Sequence, residues 1–233
     1  MSTIRALSAS LLLLPAALVA QARPAAPVAA SSSASATALL ERTARLYTGT
    51  RGLRAEFTQQ LTNPITSSVS SSAGNYLQRG PGVFAVTFTQ PAGDRIVSDG
   101  RTLWVYVPSA TPGQVLKMPV GAGAPGGVDL VGQFFTSPSR KFTVTDGGTT
   151  AVNGVTLKKL VLVPKSDMGF TRAALWVSPT GAELKQLEVT EASGVVRTLR
   201  FTSITRSATL PAGAFGFVVP RGVTVVDPAA LSR

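Results

Sequence analysis

The side chains able to do acid–base or nucleophilic chemistry are few and poorly placed for it. The chain contains no His and no Cys. That removes His-dependent triads, thiolate nucleophiles and metal sites built on imidazole or thiolate. Eleven acids remain. Asp99 and Asp146 precede Gly in turn sequences, Asp129 stands at a helix start and Asp227 lies in the C-terminal tail. These are positions where a short acid is structurally favoured. Glu183 and Glu188 fall on opposite faces of one strand by parity, so they do not form the facing pair, about 5–9 Å apart, of a glycoside hydrolase. The chain has no G-x-S-x-G elbow, no P-loop and no G-x-G-x-x-G following a strand. Its "GAGAPGG" lacks the Lys and the strand–helix order of a phosphate loop. The expectation is a non-enzyme with no catalytic residues, no metal and no cofactor.

Charge gives a second exclusion. The formal net charge is +11, which favours anionic surfaces, acidic proteins or nucleic acid. The cations are scattered, however, and the best aromatic strands, "GVFAVTF" and "LWVYV", carry no Lys or Arg. A single-strand nucleic-acid groove needs basic and aromatic residues interleaved, so that class is set aside.

The first 22 residues read as a secretory signal: an early Arg5, an apolar run around Leu11–Leu14 and Ala20-Gln21-Ala22 at the cut. Residues 23–36 are a Pro/Ala/Ser tract expected to be a flexible tether. Residues 37–233 then suit one domain. Export without Cys leaves the core to carry the fold and excludes an N-terminal lipid anchor on cysteine.

The elements follow from periodicity. "TALLERTARLY" places Leu39, Leu40, Thr43, Leu46 and Tyr47 at helical spacing, with Gly49 as a stop. Beyond it the period is two. Eleven strands are predicted over 55–62, 72–79, 83–89, 94–98, 101–107, 114–118, 141–146, 154–163, 171–178, 182–190 and 194–205. "RGPG", "QPAG", "SDG", "TDGG", "NG", "SPTG" and "EASG" supply turns. Such a chain is mainly β and must curl into a barrel or sandwich. One interruption, Val120–Ser139, has a Gly/Ala/Pro half that reads as a hinge. Its second half is a short helix presenting Leu130, Val131, Phe134 and Phe135, capped by Asp129. It is either a movable lid or a packed crossover helix.

Several strands are apolar on both faces. In "IVSDGRTLWVYVP", Leu103, Val105 and Val107 alternate with Trp104 and Tyr106; in "VFAVTF", Phe84, Val86 and Phe88 alternate with Val83 and Ala85. A one-layer antiparallel sheet wetted on one side should alternate apolar with polar. Two short helices are too few to cover eleven strands. The economical reading is a concave apolar cavity partly covered by the lid.

"AEFTQQL", "AGNYLQRGPGVFAVTFTQP", "RIVSDGRTLWVYVP", "VTEASGVVRTLRFTSI" and "FGFVVPRGVTVVD" resemble, in order and spacing, the LolA family of periplasmic lipoprotein carriers. The resemblance runs from about Leu39 to Asp227 and is most specific over Gly74–Tyr106. It implies an unclosed antiparallel half-barrel whose short helices form a lid over a hydrophobic cavity. It implies a periplasmic carrier that takes acylated lipoproteins from an inner-membrane LolCDE-type transporter to an outer-membrane LolB-type receptor, as a monomer and without nucleic acid. A related half-barrel that binds or senses a phospholipid or glycolipid in envelope homeostasis is the alternative. The resemblance also makes Arg79, in a loop carrying Gly80 before Pro81, a latch that hydrogen-bonds to the lid. Parity with Arg79 adds Leu77, Phe84, Val86 and Phe88 to the cavity. Leu61 and one face of the 96–107 hairpin join by resemblance. With Ile96 set opposite Leu103, that face is taken to be Ile96, Leu103 and Val105; the loop before the hairpin leaves the other face open as well.

Overall fold

The computed structural model describes residues 28–120, 128–152 and 154–227. The proposed leader and nearly all of the proposed hinge lie outside those residues. Helix α1 spans Val28–Thr48. The strands are β1 Leu53–Asn63, β2 Ser68–Gln78, β3 Val83–Gln90, β4 Ala92–Asp99, β5 Thr102–Tyr106, β6 Gln114–Pro119, β7 Phe142–Val152, β8 Val155–Pro164, β9 Phe170–Val177, β10 Leu184–Glu191, β11 Val196–Arg206 and β12 Thr224–Val226. Between β6 and β7 a one-turn π-helix, Val131–Phe135, precedes α2, Pro138–Lys141.

The strands form one sheet in the order β12-β6-β5-β4-β3-β2-β1-β11-β10-β9-β8-β7. β12 and β7 are its edges, so the sheet is unclosed. Neighbouring strands are antiparallel except β12, which runs parallel to β6. A single buried cluster joins α1 and the 128–135 segment to inward residues of β1–β5 and β7–β10. One wrapped face thus meets one filling, which is the half-barrel that the family resemblance implies.

Helix α1 contributes Ala36, Leu40, Ala44 and Tyr47 to that filling, a stripe at the spacing of one helix face. The helix already begins at Val28, so the part of the expected tether from Val28 to Ala36 is helical instead. Ala has the highest helix propensity, and Ala36, 1% exposed, ties the added turns to the core.

The second apolar face also has a cover. Residues 210–217 cross the back of the sheet, where Leu210, Ala214, Phe215 and Phe217 meet Leu77, Val83, Ala85 and Val97. Trp104 stacks on Phe217 with ring centres 5.3 Å apart, and Tyr106 lies 5.9 Å from the same ring. Further along, Leu157, Ala174 and Trp176 form a separate outer cluster, with Lys159 above the indole at 4.5 Å. The double-faced strands are therefore packed on both sides.

Candidate functional site

The concave face is built by alternation. On β1, Phe57 and Gln59 point inward and Leu61 continues that parity. Across the sheet the inner wall is Phe84, Val86 and Phe88 of β3, Ile96 of β4 and Leu103 and Val105 of β5. The hairpin reaches this arrangement by another register than the expected one. Its loop residues are Gly100 and Arg101, so Ser98 pairs with Leu103 and Ile96 with Val105. The partner moves by two positions, and a shift of two preserves the face. Asp99 makes the turn rather than a site: its Oδ1 accepts the Arg101 and Thr102 N–H groups, both at 2.8 Å, and these hold its carboxyl below the usual range. Asp94 likewise serves structure, accepting Ser109 N–H at 3.1 Å and Ser109 Oγ–H at 2.5 Å.

Leu130, Val131, Phe134 and Phe135 are all buried in the same apolar cluster as this wall. Phe134 lies 6.0 Å from Phe142 and 5.6 Å from Phe170, ring centre to ring centre. Phe135 stacks on Tyr47 of α1 at 4.8 Å and 16°. The Tyr47 hydroxyl accepts the Leu184 N–H at 3.0 Å, and burial pushes its pKa up to about 12. The space left beside Phe57, Val86, Phe88, Ile96 and Val128 is a cavity of about 20 Å³.

A polar clamp holds the 128–135 segment to β2. Gln78, 1% exposed, accepts the Val131 N–H through Oε1 at 3.1 Å and donates through Nε2 to Asp129 Oδ1 at 2.6 Å. The Tyr76 hydroxyl donates to the same Gln78 Oε1 and accepts the Leu130 N–H at 3.1 Å. Burial and the nearby Asp129 charge raise the Tyr76 pKa well above its ordinary value, keeping it a donor. Asp129 Oδ1 also accepts the Gly132 N–H at 2.8 Å, and its Oδ2 the Gly82 N–H at 2.9 Å. The expected cap is therefore formed. Gly132 is what permits it, since a Cβ there would lie 2.0 Å from Asp129 Oδ2. At the far end Lys141 Nζ donates to the Gly132 carbonyl, and burial lowers its pKa.

Two expected site residues lie on the opposite face. The Arg79 guanidinium carbon sits over Phe215, 5.1 Å from the ring centre, and Leu77 packs with Ala85, Val97 and Phe215. The cause is the loop. Arg79 N–H donates to Val83 O at 2.9 Å, enclosing Gly80-Pro81-Gly82, whose glycines have φ of +116° and +75°. This three-residue loop pairs Gln78 with Phe84 and Leu77 with Ala85. Gln78 and Tyr76, not Arg79 and Leu77, thus share the face of Phe84. The alternation of β2 names Tyr76 and Gln78 as a set once that loop length is known.

The fold and its inner wall define a class: a half-barrel with an apolar concavity and a helical cover held by hydrogen bonds. A family model described as outer membrane lipoprotein carrier protein LolA matches residues 48–122 and 132–218, and the chain belongs to the LolA family. It is 29% identical over 181 residues to an outer-membrane lipoprotein carrier protein of Methylobacillus flagellatus, covering 77% of this chain and 84% of the relative. It is 30% identical over 197 residues to one of Cupriavidus pinatubonensis, covering 82% and 89%. Among solved structures, an uncharacterized conserved protein of Thermus thermophilus superposes with a TM-score of 0.50 at 13% identity, covering 84% of this chain and 99% of that one. A LolA superfamily protein of Nitrosomonas europaea gives 0.45 at 15% identity, covering 78% and 97%.

Proposed function

We propose that this chain is a periplasmic carrier whose concave wall holds the acyl chains of lipoproteins, handing them from a LolCDE-type transporter to a LolB-type receptor. The observation that carries the reading is the cover itself. A wall of Phe84, Val86, Ile96 and Leu103 is closed by a short segment of four large apolar side chains fixed through the Gln78 clamp.

The energetics suit carriage. Each CH₂ taken from water contributes about 0.8 kcal/mol, so several chains entering a wet cavity would bind too tightly for release. Here the cavity is filled by Leu130, Val131, Phe134 and Phe135. Cargo exchanges one apolar contact for another and must also break the clamp, so net affinity stays modest. The reading asks for no cofactor and no chemistry on the cargo.

The test is to purify the mature protein from the cell envelope and identify its bound lipid by native mass spectrometry. Co-purifying lipoproteins are the expected result. Phospholipid or glycolipid alone, or no lipid, would overturn it.

A further inference from the structure

Among the described residues, one buried side-chain nitrogen or oxygen lacks a hydrogen-bond partner: Nε of Arg197. Arg197 lies on β11 between Leu61 of β1 and Val189 of β10. Its side chain borders the small inner cavity with Phe57, Val86, Phe88 and Ile96. Its two terminal nitrogens each have a partner. One terminal nitrogen donates to Gln59 Oε1 at 3.0 Å, and the other to Glu191 Oε1 at 3.3 Å. Gln59 is itself set by donating to Ser72 Oγ at 3.0 Å. This is a polar island in an apolar wall in which Nε is the one guanidinium nitrogen without a partner. A buried donor left unmet is costly, and a ligand that meets it recovers that cost.

Resting on the carrier reading, we propose that Arg197 Nε–H donates to the ester carbonyl through which an acyl chain joins the head of the cargo lipid. Two features select a neutral carbonyl over a phosphate. Glu191 already balances the guanidinium charge, so an anion would meet no net positive charge. Both terminal nitrogens are already engaged by Gln59 and Glu191, whereas phosphate recognition by Arg typically uses two parallel donors. The cavity of about 20 Å³ next to the side chain matches an oxygen-sized group. Arg197 thereby fixes how deep the chains sit: the carbonyl stops at the island and the methylenes continue along Phe88, Val86 and Ile96.

The experiment measures binding of a synthetic cysteinyl peptide carrying two ester-linked palmitoyl chains, and of its ether-linked counterpart, to the mature protein. The expected result is about tenfold tighter binding of the ester form, the worth of one charge-assisted hydrogen bond. Arg197→Met should bring both peptides to the ether level. Arg197→Lys, which keeps the charge opposite Glu191 but lacks Nε, should do the same if the Met variant fails to fold. Dihexanoyl phosphatidylglycerol and neutral dihexanoylglycerol should compete equally well with the ester peptide. Equal binding of ester and ether by the wild type, an ester preference that survives both variants, or preferential competition by the phosphate-bearing lipid would each overturn the proposal. If the wild type bound neither peptide, the carrier reading would fall with it.

Discussion

Between β2 and β6 the sheet is apolar on both sides, and its two covers are made differently. The outer cover, residues 210–217, lies flat on Leu77, Ala85 and Val97 and is pinned by Trp104, Tyr106 and the cation–π contact of Arg79. The inner cover is attached through backbone N–H groups of Leu130 and Val131 and the Asp129 carboxylate, all meeting Tyr76 and Gln78. Apolar contact alone is non-directional. A few hydrogen bonds of about 1 kcal/mol each instead give one seated position and a modest barrier to leaving it. The outer cover is held by ring and aliphatic contacts, whereas the inner one is fixed by directional hydrogen bonds. Under the carrier reading it is the inner one that cargo displaces.

Four measurements sharpen that contrast, taken from the largest expected effect to the smallest. Phe84→Ala removes a ring that is 1% exposed on the inner wall and should cost about 3–5 kcal/mol in denaturant unfolding. A loss under about 1 kcal/mol would mean that the wall does not carry the fold. The second concerns alkaline pH. Tyr47 is neutral when protonated, and its folded pKa of about 12 exceeds the ordinary 10. Its contribution is therefore complete below pH 10 and lost as pH rises to 12, about 3 kcal/mol in all. Tyr47→Phe should flatten that part of the stability–pH curve; an unchanged slope would refute the assignment.

Third, Gln78→Leu should speed hydrogen exchange at the Leu130 and Val131 amides roughly 10- to 100-fold, as bonds of about 1–3 kcal/mol are lost. Arg79→Leu should leave the same amides unchanged. The reverse pattern would restore Arg79 as the latch. Fourth, Phe217→Ala should cost about 1 kcal/mol and shift Trp104 fluorescence, with no change in Leu130 or Val131 exchange. Faster exchange there would show the two covers to be coupled.

Much of this was legible in the sequence, because period-two alternation and turn chemistry are local. All eleven expected strands exist, most within a few residues of their expected bounds, although β7 runs on to Val152 instead of ending at 146. Phe84, Val86, Phe88, Ile96, Leu103 and Val105 share the inner face even though the hairpin register differs, since a slip of two leaves faces intact. What failed turned on counts of one. The odd length of Gly80-Pro81-Gly82 moved Arg79 and Leu77 outside and put Gln78 and Tyr76 within. A polar Gln and a Tyr in a strand give no local sign that they will meet backbone donors far along the chain. β12 was missed because three residues are too short for alternation to show. Nothing local marks Arg197, because its partners on β1 and β10 are set by strand pairing rather than by neighbouring residues.

The parallel pairing of β12 with β6 bears on how the molecule behaves in a crowd. An unclosed sheet has two rims, each a row of unmet backbone groups able to recruit another chain. One rim is occupied by the protein's own Thr224–Val226. At the other, β7 breaks register between Asp146 and Thr149, and Gly148 takes a φ of +86°. Lys158 on β8 is drawn onto Asp146 at 2.6 Å, setting a charged pair beside that break. Each rim thus carries a feature that opposes strand addition by another chain: a closing strand of only three residues at one and a register break beside an ion pair at the other.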